Sequence, residues 1–265
     1  MSHFEPTHDW RLEARGLSVR RGARRVLHDV SLAIAAGERV SFIGPNGSGK
    51  TTLMLSLLGL LKPAAGGVWL DGRAFHRLAA AVRGRFAAYV PQFVDRLPAF
   101  RVIDVVATGR FPHVSPLRPL SLDDRRIVAD VLEQCGLTAL AERPIHSISG
   151  GERQKALLAA ALAQDARALF LDEPTTALDP AYQVELVRLL RAWHARGRAV
   201  VLVSHDLQLP AALGGRVVAL REGRAVADGL AEALLRPEQL APIYGTKFER
   251  AETTGGRVLC VPHWD

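Results

Sequence analysis

A chain of 265 residues, 48% apolar and 23% charged, has an ordinary soluble composition and room for one large domain or two small ones. Its net charge of +7 comes mostly from arginine, since only four of the 34 basic residues are lysine; with no long basic run and no aromatics interleaved among the cations, no nucleic-acid partner is expected. Cys135 and Cys260 define no disulfide framework, the longest apolar run (156–163) falls far short of the roughly 20 residues of a membrane span, and MSHFEPTHDW lacks the basic-then-apolar order of a secretory leader, so a cytoplasmic location is the expectation.

Alternating apolar residues at 12–19 and 30–34 predict two strands around a turn near Gly22. Residues 39–43 (RVSFI) read as a buried strand that runs into a glycine-rich loop and a helix over about 50–60. Asp71-Gly72 marks a hairpin, and 87–90 is a further short strand ending at Pro91-Gln92. From 93 to about 164 the pattern turns amphipathic, as at 123–136, and is punctuated by Pro112, Pro116, Pro119 and Pro144, which predicts a mostly helical insert.

The strand and helix alternation then resumes. An apolar strand is expected at 168–171, and a helix follows with Asp179 as its cap, Pro180 at its first position and Gly197 past its end. A strand at 199–203 precedes a hairpin of 217–221 and 225–227 turning at Glu222-Gly223. The tail, TTGGRVLCVPHWD, is read as a short strand packed on the main body or at a dimer contact, because Cys260 and His263 alone make no zinc site. No internal repeat is visible, so whatever site the chain carries is present in one copy.

Chemistry concentrates at a few places. Gly44-Pro45-Asn46-Gly47-Ser48-Gly49-Lys50-Thr51, followed by Thr52, satisfies G-x-x-x-x-G-K-[ST] between a buried strand and a helix. Consecutive amides can wrap phosphates, Lys50 can neutralise β and γ oxygens, and Thr51 can offer an oxygen to Mg²⁺, so a nucleotide is expected here. About 120 residues on, a core strand ends in Asp172-Glu173, with Asp172 suited to hold Mg²⁺ and Glu173 to polarise an attacking water. In SISGGERQ, Ser149 and Glu152 form a capping box. Gly150 and Gly151 need another reason, since glycine costs about 1 kcal/mol inside a helix, and bare amides at a helix N-terminus suit a phosphate.

Six motifs stand in order: GPNGSGKT, VPQ at 90–92, ISGGE at 148–152, LFLDEP at 169–174, TALD at 176–179 and SHD at 204–206. Together they make the chain resemble the nucleotide-binding subunit of ABC transporters from about residue 12 to 245. The resemblance implies an α/β fold: a P-loop NTPase cassette with a RecA-like core, an antiparallel β subdomain and a helical insert at about 93–164, with 246–265 as a C-terminal extension. It also implies an ATPase that uses Mg²⁺ and pairs head-to-tail with a second copy, each ATP lying between the Lys50 loop of one copy and Ser149, Gly150 and Gly151 of the other. By the same resemblance Gln92 senses Mg²⁺ and water, His205 contacts the γ-phosphate and Asp179 lies at the dimer seam.

Separate permease subunits, fed by a substrate-binding protein, would hold the chain at the cytoplasmic face of the membrane. ATGRFPH at 107–113 looks most like importer ATPases for iron chelates, haem and cobalamin, with zinc and manganese importers close behind. An exporter ATPase shares every motif. A soluble ABC ATPase working on DNA or ribosomes is the remaining alternative, against which stand the lack of sustained heptads and the single cassette. One departure is Arg21, where the family usually has an aromatic that stacks on the base; guanidinium can stack too, which leaves the choice of adenine over guanine open.

Overall fold

The computed structural model describes residues 4–92, 99–115, 118–175, 179–252 and 258–264. Thr176, Ala177 and Leu178 of the TALD motif, Pro116, the first residues of the expected insert (93–98) and 253–257 of the tail lie outside the described residues.

In chain order the strands and helices are β1 (Arg11–Arg21), β2 (Arg24–Ala35), β3 (Arg39–Ile43), α1 (Lys50–Leu57), β4 (Ala65–Leu70), β5 (Arg73–Ala74), α2 (Ala80–Phe86), β6 (Ala87–Val90), α3 (Val102–Ala107), α4 (Leu122–Gln134), α5 (Gly150–Ala163), β7 (Ala168–Asp172), α6 (Pro180–Ala195), β8 (Ala199–Val203), α7 (Gln208–Leu213), β9 (Arg216–Arg221), β10 (Arg224–Leu230), α8 (Ala231–Leu234), α9 (Pro237–Tyr244), β11 (Phe248–Glu252) and β12 (Val258–Pro262). None of the helices is long and apolar enough to cross a membrane among the described residues. The chain divides into two compact units, Pro6–Arg77 with Leu186–Asp265, and Leu78–Glu185.

In the first unit an antiparallel sheet has the order β2-β1-β4-β5. Here β1 and β2 run well past the apolar residues that announce them, because the arginine-rich ends continue the ladder: Arg20 faces Arg25 and Arg21 faces Arg24 across the turn. The same unit holds β3 paired in parallel with β8 on one side and β9 on the other, and β10 antiparallel to β9. All five residues of β8 are buried, as are Val40, Phe42 and Ile43 of β3, which is why both read as nearly continuous apolar runs. Burying each such large side chain contributes about 1.5–3 kcal/mol. The helix after the loop is shorter than the 50–60 expected: it stops at Leu57 because Gly59, at φ 66°, turns the chain, its amide donating to the Ser56 carbonyl and the Leu60 amide to the Leu55 carbonyl. The short strand expected within 253–265 is β12. β11 and β12 pair antiparallel from Phe248↔Pro262 to Glu252↔Val258, a hairpin of its own.

The second unit is built on a parallel pair, β6 with β7, in the register Val90↔Leu171. Its remaining described elements are helical apart from an isolated bridge between Arg101 and Pro144. Helix α5 starts at a complete capping box, the Glu152 amide donating to Ser149 Oγ at 3.2 Å and the Ser149 amide to Glu152 Oε2 at 2.8 Å. The 3-10 segment Thr108–His113 lies tightly against α5: a Cβ on Gly109 would come 2.1 Å from the Ala160 carbonyl oxygen. Arg110, 6% exposed, donates to Asp124 Oδ1 at 2.8 Å and to the Ala163 carbonyl at 2.7 Å, so it ties this segment to α4 and to the last turn of α5.

Candidate functional site

The loop after β3 owes its shape to backbone that only glycine adopts easily. Gly44, Gly47 and Gly49 have φ of 137°, 76° and 103°, and a Cβ at Gly44 would meet the Leu220 carbonyl oxygen at 2.0 Å. Lys50, 5% exposed, turns back over the loop and donates to the Gly44 carbonyl at 2.8 Å and the Pro45 carbonyl at 3.0 Å, which satisfies a buried cation with fixed dipoles. The Ser48 amide closes the turn onto Pro45 O at 3.2 Å, while the β9–β10 turn supports the loop from outside through the Gly223 amide on Ser48 O at 3.0 Å. Thr52 is buried, Thr51 half-buried, and Asn46 and Gly47 are exposed at the loop's crest, where a Cβ on Gly47 would meet nothing within 4 Å.

The Ser204-His205-Asp206 motif leaves β8 at the same end as the glycine loop leaves its parallel neighbour β3, since Phe42 pairs with Val203. Ser204 organises the turn, accepting from the Asp206 amide at 3.1 Å and donating to the Asp206 carbonyl at 2.8 Å, and the intervening His205 is exposed. Arg21 is exposed at the outer end of β1.

In the other unit the parallel register brings two distant motifs together. Gln92 and Glu173 each follow by two residues the paired Val90 and Leu171, and the Gln92 side-chain amide donates to Glu173 Oε2 at 2.9 Å. Glu173 holds φ at 47°, a left-handed conformation that costs a non-glycine residue roughly 1 kcal/mol or more and that aims its side chain differently from the strand before it. Asp172 is 2% exposed, with the Tyr89 hydroxyl 3.5 Å from its Oδ2; burial first, then that carboxylate, push the Tyr89 phenol well above its ordinary range, so it stays a donor. At the mouth of α5, Ser149 and Gly150 are exposed, and a Cβ on Gly150 would meet nothing within 4 Å, so no crowding within this chain asks for that glycine. Asp179 caps α6, accepting from the Tyr182 amide at 2.8 Å. His113 Nε2 lies 2.7 Å from the Gln164 carbonyl, a structural bond, and among the described residues no group of three or more His, Cys, Asp or Glu is placed to hold a metal ion.

A profile described as ABC transporter matches residues 27–176. The chain belongs to the ABC transporter ATP-binding family. As such it binds ATP and is an ATPase whose hydrolysis is coupled to transport. The iron(3+)-hydroxamate import ATP-binding protein of Bacillus subtilis strain 168 is 36% identical over 88% of this chain and 87% of its own length. The hemin import ATP-binding protein of Nocardia farcinica is 44% identical over 88% of this chain and 82% of its own length. Among solved structures, an inward-facing conformation of a metal-chelate type ABC transporter covers 97% of this chain and 98% of its own at 26% identity and a TM-score of 0.82.

Tyr89, Arg110 and Tyr244 were not singled out by sequence reasoning. Tyr89 immediately precedes the V-P-Q motif and could have been found there. Arg110 stood inside GRFPH, where only class resemblance marked it. Tyr244 lies in no motif, 200 residues from the loop it touches, and gave no signal.

Proposed function

We propose that the chain is the ATP-hydrolysing subunit of an importer for a metal chelate of the iron-siderophore, haem or cobalamin type. The cargo class is supported most by the import ATP-binding proteins for hydroxamate-bound iron and hemin that are 36% and 44% identical to it over 88% of its length. In this reading 12–245 is the ATP-binding domain, its helical part at about 93–164 receives separate permease subunits, and 246–265 is an extension. A loaded substrate-binding protein acts on the chain indirectly, and the permeases hold it at the cytoplasmic face of the membrane.

The residues fit ATP and Mg²⁺ on two counts. Ser48 Oγ is buried without a hydrogen-bond partner among the described residues, on a loop whose crest is open. By side-chain type, Thr51, Asp172 and Gln92 offer a hydroxyl, a carboxylate and an amide oxygen, hard donors of the kind Mg²⁺ takes. Bound Mg²⁺ would neutralise charge on the phosphate oxygens. Amides of the loop beyond Pro45 bind phosphate, and Lys50 adds the positive charge. Glu173, oriented by Gln92, polarises the attacking water, His205 contacts the γ-phosphate, and the negative charge that develops on transfer is held by fixed donors rather than reorganised water.

Ser149, Gly150 and Gly151 act on the ATP of a second, head-to-tail copy, with Asp179 at the seam; the open space at Gly150 supports this, as does the likeness (TM-score 0.74, 26% identity, 83% of this chain and 98% of that one) to a dimeric ATP-binding cassette with bound ADP and Pi. Reconstitution with the permease in liposomes tests the whole reading. Iron hydroxamate, haem or cobalamin on its binding protein is expected to raise ATP turnover several-fold, and stimulation by a zinc- or manganese-loaded binding protein instead would overturn the cargo class.

A further inference from the structure

We propose that Tyr244 is a positioning residue for the phosphate loop and that the C-terminal hairpin acts on ATP binding through it. The inference rests on the reading of residues 44–51 as the loop that holds the nucleotide's phosphates.

Gly44 is the loop's first residue, and it is clamped on both sides. Its amide donates to the Tyr244 hydroxyl at 3.0 Å, and its carbonyl accepts from Lys50 Nζ at 2.8 Å. Room to shift is lacking, because the Leu220 backbone closes off the side where a Cβ would stand. The tyrosine therefore fixes the peptide plane entering Gly44, and Lys50 the plane leaving it; together they set the dihedral angles from which every later amide of the loop takes its direction. A hollow of about 460 Å³ lies beside this clamp, lined by Tyr244 with Pro45, Asn46, Gly47 and Ser48, so the hydroxyl stands at the edge of the loop it orients. Burial pushes the phenol up to about 12 against the opposing pull of the Gly44 amide, which keeps the oxygen a neutral acceptor at working pH.

Tyr244 is in turn held by the tail. It is the last residue of α9, which closes at Gly245 with φ 71° and the Gly245 amide on Ala241 O at 2.8 Å. Its ring meets Phe248, the first residue of β11, edge to face at 5.6 Å between centroids. Phe248 is fixed by pairing with Pro262, and the hairpin is latched by the His263 amide on Lys247 O at 3.0 Å. Tyr244, Phe248 and Cys260 also pack on a buried cluster that contains Ile43, the residue before Gly44. The tail thus packs on the core beneath the phosphate loop and reaches the loop itself through one hydroxyl.

The test uses the full chain with four changes: Lys50→Ala, Tyr244→Phe, Phe248→Ala, and the last two combined. Binding is read with a fluorescent trinitrophenyl ATP, turnover by steady-state phosphate release, and folding by the melting temperature without nucleotide. Lys50→Ala is expected to abolish binding. Tyr244→Phe, which keeps the ring and removes only the hydroxyl, is expected to weaken ATP binding and raise KM about five- to tenfold, one hydrogen bond's worth, with kcat within twofold and little change in melting temperature. Phe248→Ala is expected to weaken binding in the same sense, and the double change to be no worse than the larger single one, because both act through one contact.

A merely structural tyrosine would lower the melting temperature and leave affinity alone, and two independent packing defects would multiply. Unchanged affinity in Tyr244→Phe, beside a Lys50→Ala protein that no longer binds, overturns the inference and leaves the loop reading intact. A Lys50→Ala protein that still binds removes the loop reading and the inference with it. Should Phe248→Ala unfold, Phe248→Leu keeps the apolar bulk without the ring edge and carries the same expectation.

Discussion

Cys135 and Tyr244 show how burial converts weak acids into sensors of alkali. Cys135 is 1% exposed; burial first, then the Glu185 carboxylate, push its thiol from an ordinary 9.0 to about 12, with Lys155 pulling the other way. Tyr244 rises from 10.0 to about 12 by burial. Each group ionises more readily when unfolded, so each contributes stability that is whole below its unfolded value and is lost as pH climbs toward the folded one. The urea midpoint is therefore expected to hold from neutral pH to about 9 and then fall continuously towards pH 12. In Cys135→Ala the earliest part of that fall, starting near pH 9, should shrink, the remainder coming from Cys260, whose thiol burial also raises. A wild-type midpoint that stays level through pH 11 would contradict the burial of both groups.

At the scale of elements, GRFPH shows what a class-marking motif does physically. Gly109 is there because the segment touches the α5 backbone, Arg110 because two elements and a carbonyl need one buried cation, and His113 because it reaches the Gln164 carbonyl. Phe111, 67% exposed, is the one residue of the run that packing within the unit does not explain. Gly109→Ala forces a methyl into the Ala160 carbonyl and is expected to cost about 1–3 kcal/mol. Arg110→Ala takes the cation from a half-buried Asp124 that Ser121 still bonds and leaves the Ala163 carbonyl without its donor, and is expected to cost about 1–3 kcal/mol. Hydrogen bonds from Ser121, then from Arg110, hold the Asp124 carboxyl below its usual value, so this stability is present above the ordinary carboxylate range and lost as pH falls through the folded value. Urea unfolding of both variants measures these losses, and a Gly109→Ala protein as stable as the wild type would mean that α5 and the segment separate easily.

At the scale of the molecule, the proposed head-to-tail pair would join groups from two copies around each ATP. On the proposed roles, Glu173→Gln would keep the binding groups and lose water activation, so it is expected to cut turnover at least 100-fold, by analogy with losing one transition-state group, and to elute as a dimer when ATP is present. Ser149→Arg is expected to abolish turnover while nucleotide binding by the monomer stays within about twofold, since in the proposed pair Ser149 would serve the other copy's ATP. Comparable loss of monomer binding would place Ser149 in its own chain's site and remove the head-to-tail reading.

The sequence alone carried most features whose cause is local. A glycine at positive φ, a lysine and threonine after it, a capping box and a buried strand ending in two acids are written within a few residues, because backbone dihedrals and strand or helix periodicity are short-range. It also announced the parallel strands, whose burial on both faces leaves uninterrupted apolar runs such as 199–203. It did not announce that the arginine-rich ends of β1 and β2 extend, since cross-strand pairing and not side-chain character carries them there. Nor did it reveal that Gln92 meets Glu173, that Gly109 meets Ala160, or that Tyr244 holds Gly44 from 200 residues away. Those contacts follow from sheet register and packing, which bring together residues with no shared period in the chain, and only the tertiary structure decides them.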